Sequence, residues 1–513
     1  MLAACGGDGT YVVVTVEARP AVFDVARLKV TLSNESSAVS EDFVLAGKTL
    51  PITFSVSASG RTGDVGIAVE ALREDGGLAG RGTGQTTVDA ETASVMIDSV
   101  DFVVNTDFAD DQELSGFASE HGFQLAATTA GTWTVGYRDA CTTPCHVLAR
   151  RFDEAGRPAT SALAAGTNSF AVSTKLTTSF TTPAVAANGT TTLVVWNSTD
   201  PAMTSVHAIE CRSIDANGAA SSGQIVVSPD AFPNLVSVTP LSNGNFAIAW
   251  DGRATTVNEI RTAVVKPDCG LLNAVTAAST TAGTGSPRNS SVTASADRIL
   301  YAWILDGTVR IRLATNANTY LGGTDALLAG KTATEEIDHA RVAPLPGGGF
   351  AIFMRWSLIT GAVGPGRIEM VRTNNAGMMV GTPVIVTDRS GTDFPSNQAF
   401  GVAAKPDGTL LVVWHACDER GDGNLCGVFG KLINPAGVPV GTDFSLATTT
   451  SGNQLGPSAA ALPGDAFVAA WTDTSQLDPD RSGSAVRARV IYPPADGAGS
   501  SAGPGAGPGA GAR

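Results

Sequence analysis

Charge is scarce in this chain, and positive charge most of all. Lys and Arg number 33 and Asp and Glu 48 in 513 residues, 16% together, against roughly 25% in an ordinary soluble domain. Only seven of the basic residues are Lys, and the formal charge is −15. A nucleic-acid partner is excluded, because phosphate recognition needs a positive footprint. Apolar runs are short, so no segment is long enough to cross a membrane as a helix. Histidine is rare as well. His121, His146, His207, His339 and His415 form no His-x-His or His-Glu-x-x-His pair, the spacing that metal sites favour. What is abundant is glycine, 58 residues, within a composition that is 43% hydrophobic. That apolar fraction excludes a wholly disordered chain and is enough to bury a core. Length alone suggests about three domains.

An internal repeat resolves the composition. A short apolar strand closes on an aromatic in six copies and on Met354 in one. The copies are Trp133–Tyr137, Leu193–Trp196, Phe246–Trp250, Leu300–Trp303, Phe350–Met354, Leu411–Trp414 and Phe467–Trp471, with closing positions 59, 54, 53, 51, 60 and 57 residues apart. A short strand precedes each, as in Phe400–Ala404. A third strand that often carries Arg follows, as in Val309–Leu313 and Ala485–Arg489. Turns with Asx three residues before Gly come next, at Asp153–Gly156, Asp215–Gly218, Asn374–Gly377 and Asn434–Gly437. There the Asx side chain caps and Gly supplies positive φ. A fourth strand ends the unit, as in Phe444–Thr448. Four alternating strands per unit make one antiparallel sheet, and seven such sheets bury their faces by stacking radially.

The repeat resembles seven-bladed β-propellers and the repeat regions of secreted bacterial proteins. The resemblance covers residues 99–492 and lacks WD-repeat, kelch and Asp-box signatures. The seventh copy stops near Tyr492 without a fourth strand, while 100–106 look like a fourth strand without a blade. That strand is expected to close blade seven. Residues 10–98 hold short alternating strands such as Tyr11–Val16 and Val65–Val69, which predicts an immunoglobulin-like β-sandwich acting as a spacer. The expected class is therefore all-β, a sandwich followed by a propeller of four-stranded blades. Residues 493–513, mainly Ala, Gly, Pro and Ser in repetition, read as a disordered tail.

The first residues read as an address. Leu2-Ala3-Ala4-Cys5 resembles the lipobox of bacterial lipoproteins, and residues 1–9 read as lipobox and tether. The resemblance implies lipidation at Cys5 and, with Gly6 rather than Asp after it, an outer-membrane lipoprotein of the cell envelope. Its membrane contact would be the lipid anchor alone. A signal peptide carries a basic segment and an apolar stretch of about 7–15 residues, so this reading implies a translation start further upstream. The remaining cysteines suit an exported chain with disulfides. Cys141 and Cys145 flank a short turn, Cys417 and Cys426 bracket a Gly-rich loop, and Cys211 is left with Cys269.

Chemistry is thinly marked. Gly47-Lys48-Thr49 and Gly330-Lys331-Thr332 lack the upstream Gly of a phosphate loop, and Gly499–Gly503 matches a nucleophile elbow only in the tail. Loops between second and third strands share a propeller face with the blade-to-blade connections. That face collects Asp139, Asp200, Asp251, Asp306, Asp418, Asp422, Asp473, Asp478 and Asp480. The acids of two of these loops, Asp418, Asp422 and Asn424 in one and Asp473, Asp478 and Asp480 in the other, are the candidate Ca²⁺ ligands; no other cofactor is expected. The repeated Trp residues are expected to pack blade against blade. With no catalytic motif, the expectation is a monomeric, non-enzymatic platform binding an unknown protein or glycan. The alternative is a propeller enzyme acting on extracellular glycans, a glycosidase or lyase, through paired carboxylates from different blades.

Overall fold

The computed structural model describes residues 11–493 apart from 36, 91, 107–110, 115–122, 140–145, 165, 175–182, 201–202, 230–232, 254–256, 281–284, 360–365, 389–399, 418–425 and 478–482. The lipobox, Cys141 and Cys145, the acidic stretch 418–424, Asp478, Asp480 and the tail after Pro493 lie outside the described residues. The chain is all-β, with no α-helix among the described residues. It divides into two compact units, the first running to Asp101 and taking in Ala155–Arg157 and Arg489–Tyr492.

In the first unit, period-2 alternation places Val12, Val14 and Val16 on one face of strand Tyr11–Ala18, all fully buried. Leu28, Val30 and Leu32 do the same in Arg27–Ser33, and Val65, Ile67 and Val69 in Asp64–Leu72. These faces gather into one core. The two-layer immunoglobulin-like sandwich expected from strand spacing is corrected by the pairing. All seven strands form a single sheet, and Tyr11–Ala18 pairs antiparallel with Ile52–Ser57 and parallel with Thr92–Ser99. Thr92–Ser99 also pairs with Leu78–Thr87, so what would be two layers is one barrel-like sheet. Gly80 sits at this junction because a Cβ there would lie 2.6 Å from the Asp98 carbonyl oxygen.

The second unit is a seven-bladed propeller of four-stranded blades. Blade three is representative, running outward through Asn234–Pro240, Phe246–Arg253, Asn258–Val265 and Thr276–Ala277. Blade seven, by contrast, consists of Gln454–Ala461, Phe467–Asp473 and Ala485–Ile491, and takes its outer strand, Phe102–Val103, from the start of the repeat. Each inner strand touches the next, and Leu125–Ala127 of blade one meets Gln454–Ala461, so the ring is closed.

The closing aromatics hold the blades together. Trp196, Trp250, Trp303, Trp414 and Trp471 are each at most 1% exposed. Trp250 shares a core with Ala184 and Leu193 of blade two, Trp303 with Ala247 and Ala249 of blade three, and Trp414 with Ala351 and Phe353 of blade five. Each thus packs on the blade before it, as the repeat implied. Burying one such ring stabilises by on the order of 5 kcal/mol from area alone. Cys211–Cys269 ties blade two to a turn of blade three, and Cys417–Cys426 spans the ends of two neighbouring strands in blade six.

Candidate active site

If a closing aromatic faces the preceding blade, the next residue faces the following one, because side chains alternate along a strand. That next position is polar in six blades: Arg138, Asn197, Asp251, Arg355, His415 and Thr472; only Ile304 is apolar. Several of these side chains bond the backbone of the following blade, two of them near the start of its inner strand. Asn197 donates to the Pro233 carbonyl at 3.4 Å, His415 Nδ1 accepts from the Gly456 N–H at 3.2 Å, and Thr472 accepts from the Leu114 N–H at 3.1 Å. The need for such partners is local. The inner strands of blades three, four, five and seven shift register near their first residues, and a bulge leaves ladder groups unpaired.

Asp251 makes the most complete of these latches. Its Oδ2 accepts from the Asn289 N–H at 2.7 Å and its Oδ1 from the Ser290 N–H at 3.0 Å. Asn289 has φ +57°, a left-handed conformation that Asn tolerates. It turns two successive N–H groups toward one carboxyl, an anion-binding concavity. Burial nevertheless dominates and pushes the Asp251 carboxyl up to about 6, against those hydrogen bonds and the pull of Arg341. Asn289 also donates its side-chain N–H to the Asp338 backbone carbonyl at 2.7 Å, so blade four connects Asp251 of blade three to Asp338 of blade five.

Asp338 has the opposite electrostatics. Arg355 Nη2 donates to its Oδ2 at 2.7 Å, and the buried His339 contacts its Oδ1 through Nδ1 at 3.2 Å. Burial raises the carboxyl, but the Arg355 guanidinium and the His339 ring outweigh it and hold it down at about 2. Burial lowers the His339 pKa, so near neutral pH the ring is uncharged and its Nδ1–H donates.

Arg341, three residues beyond Asp338 on inner strand Glu335–Pro344, joins this group to the propeller axis. Its Nε donates to the Phe400 carbonyl at 3.1 Å and its Nη1 to the Ala340 carbonyl at 2.8 Å. Its guanidinium lies 4.6 Å from the Phe123 ring centroid. Burial lowers its pKa to about 9, with Asp251 pulling the other way. A cavity of about 150 Å³ on the axis is lined by every inner strand, from Leu125 of blade one to Ala459 of blade seven, and Arg341 is the charged residue in its wall.

Of the acids expected on the loop face, Asp251 and Asp473 are buried strand residues, and Asp306 is an exposed turn residue. Asp473 accepts from Arg487 Nε at 2.8 Å and Gln454 Nε2 at 3.0 Å, which places it in a closed network and not in an open loop. The other candidate Ca²⁺ ligands lie outside the described residues. Among the described residues, no group of three or more His, Cys, Asp or Glu is placed to hold a metal. Sequence reasoning missed Asp338, His339, Arg341 and Arg355. For Arg355 the signal was a polar residue after the closing position, Met354, of a strand otherwise apolar; Asp338, His339 and Arg341 lie on the inner strand, where that signal does not reach.

The architecture defines the class, a seven-bladed propeller with a buried polar cluster between blades three, four and five. No family model matches the chain, and no curated protein matches it in sequence. Among solved structures it is similar to a protein of unknown function from Dyadobacter fermentans, at 10% identity and TM-score 0.42, over 77% of this chain and 98% of that one. It is also similar to an α-L-arabinofuranosidase from Fusarium graminearum, at 11% identity and TM-score 0.38, over 61% and 92% of the two chains. A third is an α-L-arabinanase from Penicillium chrysogenum, at 14% identity and TM-score 0.38, over 59% and 90%. Two of these three solved structures are glycosidases, against the expectation of a non-enzymatic platform; the likeness is one of fold.

Proposed function

We propose that this propeller is a glycosidase acting on extracellular glycans, with Asp251 as the acid and Asp338 as the base. One observation carries the reading. Asn289 joins two buried acids, its backbone N–H on the Asp251 carboxyl and its side chain on the Asp338 backbone carbonyl, and the two carboxyls are driven in opposite directions, one up to about 6 and the other down to about 2. Environments that separate two carboxyls in this way divide acid from base. The acid pair supports the proposal; the likeness in fold is not its basis.

Glycoside hydrolysis uses this division of labour. Asp251, protonated below about pH 6, gives its proton to the leaving glycosidic oxygen as the bond to the anomeric carbon breaks. Asp338, ionised across the same range, takes a proton from the water that adds to that carbon. Arg355 and His339 hold Asp338 in place and stabilise its charge. Arg341 and the axial cavity offer a place for one sugar.

Release of reducing ends from a panel of soluble polysaccharides at pH 5 tests this. The full chain is expected to cleave at least one of them, and Asp251→Asn to lower that rate by at least about a hundredfold, the usual contribution of a positioned acid. Cleavage at an unchanged rate by Asp251→Asn, or no cleavage of any polysaccharide, overturns the assignment.

A further inference from the structure

Among the described residues, two disulfides stand in different surroundings. Cys211 and Cys269 are fully buried, and the Ser222 hydroxyl donates to the Cys269 sulfur at 3.6 Å. Cys417 and Cys426 are half-buried at the ends of strands Leu410–Cys417 and Cys426–Ile433, directly opposite each other. Thiol–disulfide exchange requires access, because the attacking thiolate must reach a sulfur. Of these two bonds, only Cys417–Cys426 is open to reduction while the protein stays folded.

Blade six does not depend on this bond to hold its hairpin. The ladder continues from Ala416 opposite Gly427 to Leu410 opposite Ile433. Leu410, Val412, Trp414 and Ile433 are buried in a core shared with Ala351 and Phe353 of blade five. Reduction therefore frees the end of the hairpin and leaves its body in place, a local and reversible opening.

The freed end is wired to blade seven. The Cys426 N–H donates to Asn453 Oδ1 at 3.0 Å. Asn453 immediately precedes the inner strand Gln454–Ala461, and it bonds Thr474 twice. Its N–H donates to Thr474 Oγ1 at 2.8 Å, and its carbonyl accepts from the Thr474 N–H at 2.9 Å. On the other arm, two residues before Cys417, His415 Nδ1 accepts from the Gly456 N–H. Both arms of one hairpin thus hold the start of one inner strand, and the disulfide fixes their spacing.

We infer that Cys417–Cys426 is a redox latch on the seam between blades six and seven, closed when oxidised and released by an external dithiol. One thiolate of the dithiol attacks a sulfur and breaks the S–S bond, and its second thiol resolves the mixed disulfide. The dithiol leaves as a disulfide, and the chain gains two electrons and two protons as two thiols. The end pair then opens, and the bond from Cys426 to Asn453 goes with it.

Graded dithiothreitol on the full chain near neutral pH, followed by alkylation and peptide mass spectrometry, tests the latch. Amide hydrogen exchange of the oxidised and reduced protein reads the seam. Cys417 and Cys426 are expected to be alkylated at least about tenfold faster than Cys211 and Cys269, with far-UV circular dichroism unchanged and oxidised glutathione restoring the bond. Reduction is expected to speed exchange in the peptide spanning Cys426 at least about tenfold and to leave the peptide ending at Ile433 as it was. The double variant Cys417→Ser, Cys426→Ser should fold and show the reduced pattern without reductant. Equal alkylation of the two pairs, loss of the folded spectrum on reduction, or exchange at Cys426 that reduction leaves unchanged overturns the inference. A double variant that does not fold overturns it as well, because the latch would then be a structural necessity. None of these readouts involves turnover, so the inference stands apart from the glycosidase reading.

Discussion

Asn197, Asp251, His415 and Thr472 occupy one position in four blades and bond the following blade, yet only Asp251 has a carboxyl pushed up to about 6. The consequence for stability has a definite sign. An unfolded Asp titrates near 3.9, so the folded state binds this proton more tightly than the unfolded one. The stabilising contribution is complete below about pH 4 and is lost as pH rises through about 6, by on the order of 3 kcal/mol. Asp338 acts in reverse, contributing above about pH 4 and losing its contribution as pH falls toward 2. Asp251→Asn keeps one acceptor oxygen at the latch and removes the titration. Urea unfolding at pH 4 and pH 7 should show the wild type losing about 2 kcal/mol more than Asp251→Asn over that interval. The same change in both proteins would rule out a raised Asp251. The identity of this acid was visible in the sequence; its burial was not. The apolar run stops at Trp250, so the sequence suggests a solvated loop there, but the strand runs on to Arg253 and the latch draws Asp251 inside.

The strands themselves were legible because Val, Ile and Ala alternate with polar residues in the first unit and run unbroken in the second strands of the blades. Pairing was less legible. Nothing in the spacing of the first seven strands signals that Tyr11–Ala18 lies parallel to Thr92–Ser99, and the sandwich expectation failed on that point. Register was hidden for a related reason. A shift between Ile337 and His339 displaces the inner strand of blade five by a residue, so repeat alignment alone does not show Asp338 and Arg341 as exceptional. Disulfide placement was easier, because short brackets and one leftover pair sufficed for Cys417–Cys426 and Cys211–Cys269. Cys211–Cys269 closes a separation of 58 residues between two blades, a length for which chain entropy predicts about 4 kcal/mol. The double variant Cys211→Ser, Cys269→Ser should lower the urea midpoint accordingly. An unchanged midpoint would show that blade packing alone holds blades two and three.

At the scale of the molecule, low charge and high glycine follow from the ring. Seven buried four-stranded sheets leave little strand surface for charge, and their many turns need residues that accept positive φ, as Gly156, Gly218, Gly377 and Gly437 do. Ring closure by Phe102–Val103 joins the start of the repeat to its end and holds all seven inner strands around one axis. Asn289 of blade four bonds acids of blades three and five, so the site belongs to the assembly of blades and to no single repeat. The central claim is that Asp251 and Asp338 divide acid from base at this site. The pH dependence of kcat/KM on a cleaved polysaccharide tests it most directly, because this quantity reports the free enzyme's acid and base. The account predicts a rate that falls as pH rises through about 6, with the fall absent and the rate at least about a hundredfold lower in Asp251→Asn. A rate that stays level through pH 6, or a wild-type profile retained in Asp251→Asn, would contradict it.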